Sequence, residues 1–333
     1  VQVYTERLWR RAEEMGLPRA VAVSMLDRAR ADMDDVMASL HALDQRVVAL
    51  QMPIGAGSAL AGMVDLIDLS ATTYDAEGRP TTGPVPDDVA VAAEAARDVL
   101  IETVASTDDT LIEEYLAGEE LTRDELIGAL RTAVAHGELI PVVCVSAAPV
   151  PMGVEGLLDM VVQALPSPAD GPVRDAVTVD SGETLHMVPE ADGPAVALCI
   201  KTLADPFSGR VNVMRVLAGT LVGDSQVVCA RTGARERVGR LFRLQGKEHV
   251  PCAALGPGDM GAVAKLKGVA TGDALCGDEP LVAFPPVPLP RPSMSFRVNA
   301  HDRGDDDKIV TLLRRMAEED PSLDVHQDPE TGD

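Results

Sequence analysis

Residues 20–35 read AVAVSMLDRARADMDD. The opening apolar run has the character of a buried strand, and from Ala29 to Leu43 a helical period follows, with Met33, Val36, Met37 and Leu40 on one side. Strand, loop and helix form the repeating element of α/β folds, so Asp27 falls where a strand ends and a helix is about to begin.

Working outward, residues 4–16 have helical spacing around Leu8 and Ala12, and GLPRAVAVSML reads as a turn followed by a buried strand. Short β-rich runs cut by glycine extend from VVALQMPIG through GMVDLIDLSATTYD. IGAGSALAG among them is a turn, because it has no Lys-Ser/Thr to hold phosphate. Helices are expected from about Pro86 to His136; the last opens on a capping box, Thr122 to Glu125, and closes at Gly137. LIPVVCVSA reads as a second buried strand, and a helix follows with Val154, Leu157, Leu158 and Val161 as its apolar stripe. Two βα units therefore flank an insertion of about ninety residues.

After PSPADGP the pattern changes to many short β-runs separated by Gly-rich turns, which reads as an all-β barrel or sandwich. AFPPVPLPRP is a linker. Beyond it a strand (SMSFRVNA), a helix with Ile309, Leu312, Leu313 and Met316 on one face, and a strand (SLDVH) are expected. Val1 in place of Met and the closing HQDPETGD indicate either a piece of something longer or unusual termini.

Aromatic residues make up only 2% of the chain, against the single-strand platforms that need such faces. The net charge of −24 is concentrated early: residues 1–170 carry 11 basic and 29 acidic side chains, whereas 171–280 carry 12 and 13. Such a chain does not attract nucleic acid through its overall field, so RNA contact requires a local basic patch. Arg231, Arg235, Arg237, Arg240, Arg243 and Lys247 form the candidate; they alternate with Val238, Leu241 and Leu244, so partner contact and the wet side of a hairpin are equal readings. The five cysteines are scattered through apolar runs, as reduced core thiols are, and no Cys/His cluster suggests a metal. The six histidines stand near no nucleophile motif, and Asp305, Asp306 and Asp307 suit a helix N-terminus rather than a cation. No apolar run is long enough to span a membrane and no signal-like segment opens the chain, which reads as cytosolic.

Ligands of open α/β sheets bind at the carboxyl ends of strands, where Asp27 and Ser146 both fall. A carboxylate there accepts two parallel N–H bonds. Guanine offers N1–H and N2–H2 side by side, whereas adenine presents an acceptor, and a backbone N–H after Ser146 is suited to O6. The competing reading is that Asp27 caps the following helix.

Together the segments LWRRAEEMGLPRAVAVSMLDRARADM, QMPIGAGSALAGMVDLIDL, YLAGEELTRDEL, VCVSAAPVPMGVEGLLDMVVQALPSP, DPFSGRVNVMRVLAGTL, RERVGRLFRLQG, GDMGAVAKLKGVATGDALC and RMAEEDPSLDVHQDPETG resemble the elongation factor G-like translational GTPases over essentially the whole chain. The resemblance implies a multidomain α/β, β and α+β protein. Residues 1–168 would be the later part of a P-loop-type G domain, with an insertion at about 51–137. Residues 170–283 would be a β-barrel, and 290–333 the first half of a ferredoxin-like domain. It further implies GTP or GDP as ligand and a cytoplasmic monomer that docks on ribosomal RNA and a large-subunit stalk protein, without DNA or membrane, for translocation or recycling. The alternatives are a non-hydrolysing ribosome-binding paralogue and a ribosomal protection-type protein.

The family's Asn-Lys-x-Asp loop falls on Ser24, Met25, Leu26 and Asp27, so only its base-reading carboxylate is kept. The guanine site would comprise Asp27, Ser146, Ala147, Ser24 and Met25, and the arginines from 231 to 243 would face ribosomal RNA. The phosphate loop, switches and catalytic His would precede Val1, and Mg²⁺ would belong with them. The polypeptide alone is therefore expected not to hydrolyse GTP.

Overall fold

The computed structural model describes residues 2–147, 150–171, 173–205, 209–290, 292–298 and 306–326. His301, Asp305, residues 327–333 and the side chains of Asp306 and Asp307 lie outside them. The chain divides into two compact units, Val1–Asp170 and Gly171–Asp333.

In the first unit, α1 (Val3–Glu14), β1 (Val21–Val23), α2 (Met33–Leu43) and β2 (Val47–Ala49) come first. β3 (Gln51–Ile54), β4 (Gly62–Asp65), β5 (Ser70–Tyr74) and β6 (Pro80–Pro84) form an antiparallel meander. Three helices follow: α3 (Asp87–Ala105), α4 (Asp109–Leu116) and α5 (Arg123–His136). β7 (Ile140–Cys144) and α6 (Val154–Ala164) close the unit. β7 returns between β1 and β2 and pairs with both in parallel, with Val23 opposite Cys144 and Val47 opposite Ile140. A strand covered on both faces reads as a continuous apolar run, and every residue of β7 is buried. α5 has the expected capping box: the Thr122 N–H donates to the Glu125 carboxylate at 2.8 Å, and Gly137 ends the helix in the left-handed region.

Two local expectations change. α2 begins at Met33 rather than Ala29, because Asp32 caps it, accepting from the Asp34 N–H at 2.8 Å. The stripe on α6 is rotated: Val154, Leu158 and Val161 are 39%, 60% and 43% exposed, while Met160 and Ala164 are buried and Leu157 packs beside them. Gly156 lies on the packed side, where a Cβ would meet the Gln51 side-chain amide at 2.0 Å.

The second unit starts with β8 (Arg174–Thr178) and β9 (Thr184–Met187), followed by the long hairpin β10 (Val196–Asp205) and β11 (Gly209–Ala218). Then come β12 (Leu221–Val222), β13 (Gln226–Cys229), β14 (Arg235–Arg237), β15 (Leu241–Gln245), β16 (Glu248–Cys252), β17 (Ala254–Leu255), β18 (Met260–Ala264), β19 (Ala274–Cys276), β20 (Val282–Ala283) and α7 (Asp306–Glu319). Eight strands make one barrel-like sheet in the order β14-β13-β19-β10-β11-β18-β15-β16. Its interior is aliphatic and thiol-rich, with Met214, Val216, Leu221, Leu241, Leu255, Leu275, Cys199 and Cys229 buried. Each fully buried aliphatic side chain contributes roughly 1.5–3 kcal/mol, which replaces the aromatic packing this composition lacks. All five cysteines are free, and Cys252 alone is half-buried.

The two strands expected around α7 do not form among the described residues: 292–298 and 323–326 carry no ladder. A strand requires a partner for its backbone groups, and two short segments beside a single helix supply none to each other. α7 instead lies against β10, where the Ala204 N–H donates to the Glu319 carboxylate, and Ile309 and Leu313 are half-buried while Leu312 and Met316 are exposed.

Candidate functional site

β1 and β7 are parallel neighbours, so their carboxyl ends bring residues 24–27 beside residues 146–147. The Val145 N–H donates to Val23 O at 2.9 Å and continues the ladder to the loop. Immediately after β1, Met25 takes the left-handed conformation, φ 63°, which is unfavourable for a side chain of this kind. The reversal sends Leu26 into the core, 3% exposed, and leaves the Met25 side chain 61% exposed. Arg28 N–H then donates to Met25 O at 3.1 Å, so Asp27 lies in a turn and not at a helix start.

Asp27 Oδ1 accepts the Ser146 hydroxyl at 2.9 Å, across 119 residues of sequence. Ser146 is fully buried and Asp27 keeps a side-chain exposure of 17%, so the carboxylate accepts the Ser146 hydroxyl and keeps part of its surface free. Arg28 Nε stands 3.9 Å from the other oxygen, on a side chain that is itself 71% exposed. Asp32 performs the capping that was the rival role for Asp27. A carboxylate that leaves helix capping to Asp32 and is steadied by a hydroxyl just beyond the neighbouring strand suits recognition of two adjacent donors.

Not every expected group takes part equally. Ser24 and Ala147 are exposed beside Asp27, whereas the Ser146 N–H is already donated to Met152 O at 2.9 Å. The donor open to a base carbonyl is therefore the amide after Ser146. A guanine base fits this set of a partly free carboxylate and an adjacent exposed loop. Among the described residues, no group of three or more His, Cys, Asp or Glu is arranged to hold a metal ion.

Three supports were not legible as parts of the site. Gly57 N–H donates to Leu26 O at 3.1 Å, and a Cβ at Gly57 would stand 3.2 Å from Arg28 O, so the glycine turn braces the Asp27 loop from below. At Gly153, φ 74°, a Cβ would meet Cys144 O at 2.2 Å; this lets the chain fold back so that Met152 and Ser146 exchange backbone bonds. Tyr74, on β5, accepts the Gly153 N–H at 2.7 Å and donates to Glu155 at 3.1 Å. Gly57 carried a signal, its place in IGAGS, but a lone tyrosine carries none.

The basic run of the second unit is divided by its strands. Arg231 is committed to the barrel: its guanidinium clasps buried Asp273 at 2.6 and 2.7 Å and reaches Gly268 O at 3.0 Å. Burial pushes the Asp273 carboxyl up, but Arg231 and the Ala270 N–H outweigh it and the net direction is down. Arg235 and Arg237 point outward from β14, while Glu236 between them is buried and accepts the Lys267 and Gly268 N–H groups at 3.2 and 2.8 Å. Arg237 meets Asp224 at 3.3 Å with both side chains 74% exposed, and Arg243 meets Asp259 at 3.0 Å. Arg235, Arg240 and Lys247 are exposed and without an ion-pair partner among the described residues. No helix among the described residues is long and apolar enough to cross a membrane.

Comparison with known proteins agrees with this architecture. Residues 194–278 match the family Elongation factor G domain 2, and residues 289–333 match Elongation Factor G, domain III. A crystal structure of a protein from Thermus thermophilus is similar over 100% of this chain, with a TM-score of 0.82 and 31% identity. The chain spans 47% of that protein's length. Taken with the fold, the two family matches mark residues 194–278 and 289–333 as elongation factor G-like and support reading the chain as an elongation factor G-like fragment.

Proposed function

We propose that this chain supplies the base-reading part of a guanine nucleotide site and a ribosome-facing barrel to an elongation factor G-like translation factor acting in translocation or recycling. The observation that carries the nucleotide reading is the Asp27–Ser146 hydrogen bond at 2.9 Å, together with the transfer of helix capping to Asp32. In this reading residues 1–168 form the later part of a G domain, 51–137 its insertion, 170–283 the barrel and 290–333 the start of the third domain. Asp27 accepts N1–H and N2–H2 of GTP or GDP, the amide of Ala147 meets O6, and Ser24 and Met25 flank the base. Phosphate chemistry is not assigned to these residues, since the 333-residue sequence contains no GxxxxGK[ST] loop.

Saturation-transfer NMR of the chain with guanosine, adenosine and xanthosine tests the base site, because it detects weak binding. Guanosine is expected to receive saturation in preference to adenosine, and Asp27→Asn is expected to shift the preference to xanthosine, whose extra carbonyl needs a donor. Equal transfer to all three bases, unaltered by the substitution, overturns the reading.

The acidic first unit suits a basic protein or a stalk protein of the large subunit as partner, and the outward arginines of the barrel suit ribosomal RNA in the cytoplasm. Co-sedimentation with ribosomes should weaken, with a shallower salt dependence, in the Arg235→Glu/Arg237→Glu variant. A second reading, a ribosome-binding paralogue without hydrolysis, is favoured by exposed Ser24 and Met25 in place of bracing Asn and Lys. Ribosome binding that is indifferent to added nucleotide would select it.

A further inference from the structure

A surface cleft of about 660 Å³ opens on the second unit beside β15 and β16. Arg237, Arg240 and Lys265 supply its charge and Phe242, His249 and Pro251 much of its apolar wall; none of its lining residues is a carboxylate. In a chain of net charge −24, that local sign is a property of this site and not of the surface at large. Arg237 is paired with Asp224 at 3.3 Å in the open, with both side chains 74% exposed, whereas neither Arg240 nor Lys265 has an ion-pair partner among the described residues and both are exposed. The His249 ring lies on Phe242 with centroids 4.4 Å apart and planes 20° from parallel. Phe242 is buried, so it fixes the imidazole from one side, while His249 remains exposed on the other.

We infer that this cleft takes one unpaired nucleotide of an RNA strand, its base stacked on His249 and its phosphates met by Arg237, Arg240 and Lys265. A flat ring held flush against a second ring is a platform for a π-face, and cations around it suit the anion to which such a base is joined. An extended strand is favoured over a free mononucleotide. One stacked base and a few solvent-exposed phosphate contacts hold only weakly, and an open cleft adds no enclosure, so the occupant must bring neighbouring contacts with it. The inference rests on the reading that the barrel faces RNA and adds which part of the RNA it grips.

Fluorescence anisotropy of the intact chain tests it at low salt. The probe is a labelled single-stranded oligoadenylate, and the competitors are an RNA duplex, inorganic polyphosphate and AMP. The single strand is expected to bind better than the duplex and to resist polyphosphate of equal charge. His249→Ala, at an exposed position, is expected to weaken binding roughly tenfold, and His249→Trp to restore it. Arg240→Glu should weaken binding and flatten its salt dependence. Equal competition by polyphosphate with no effect of His249→Ala overturns the stacking site and leaves a charged surface; a preference for duplex or for AMP overturns it as well. Failure of the parent reading is separable: ribosome co-sedimentation indifferent to Arg235→Glu/Arg237→Glu, alongside retained His249-dependent oligonucleotide binding, removes the ribosomal assignment and keeps the cleft.

Discussion

The hydroxyl of Tyr74 accepts the backbone N–H of Gly153 at 2.7 Å, tying the inserted meander to the loop that carries Ser146. Burial pushes the Tyr74 phenol up, so it stays protonated and donates to Glu155 while it accepts from Gly153. Tyr74→Phe keeps the ring and removes the oxygen. Hydrogen exchange at the Gly153 amide is expected to rise about fivefold, equivalent to about 1 kcal/mol, with little change in global unfolding. Unchanged exchange would show that the loop is held without this tie.

Asp32 and Asp27 lie five residues apart in sequence and differ in role. Asp32→Ala removes a cap and is expected to lower stability to denaturant by about 1 kcal/mol. Asp27→Ala should leave α2 intact and alter only ligand behaviour. Helix loss in Asp27→Ala would return that residue to a capping role.

Arg231 and Arg235 look equivalent in the sequence, but only Arg231 clasps a buried carboxylate. Arg231→Ala leaves Asp273 without its guanidinium, and the barrel is expected to lose about 1–3 kcal/mol. Arg235→Ala should be close to neutral in the same denaturation measurement.

Trp9, Asp44, Arg46 and Glu13 form a hydrogen-bonded cluster linking α1 to the end of α2. The Arg46 guanidinium is the main cause that holds the Asp44 carboxyl down, from 3.8 to about 2. A depressed folded-state value stabilises the protein above the unfolded value and is lost as pH falls through the folded one. Denaturation midpoints should therefore drop between about pH 4 and pH 2. Because Arg46 and Glu13 are partly exposed and solvent screens them, the Asp44 share is about 1 kcal/mol, and Asp44→Asn should remove it.

Burial pushes the Cys144 thiol up to about 12 and raises those of Cys199 and Cys276. In native protein, maleimide is expected to label Cys252 first, with the other four reacting only on unfolding, as mass spectrometry of digests would show. Rapid native labelling of Cys144 would mean that the sheet opens beneath the Asp27 loop.

Much of this protein follows from local rules. The uniformly apolar run 140–144 had to be a covered strand, and the Thr122–Glu125 box and Gly137 had to bound a helix. Asp27 was legible as a carboxylate at a strand end because strand and helix periods meet there. What local rules could not decide was partnership. Whether Asp27 capped α2 depended on Asp32 and on a serine 119 residues away. Which side of α6 is buried depended on what packs against Met160 and Ala164, and which arginine is structural depended on Asp273. Periodicity records only what each residue shares with its neighbours along the chain, whereas a hydrogen bond or a close approach is set by groups that meet only after the strands have paired.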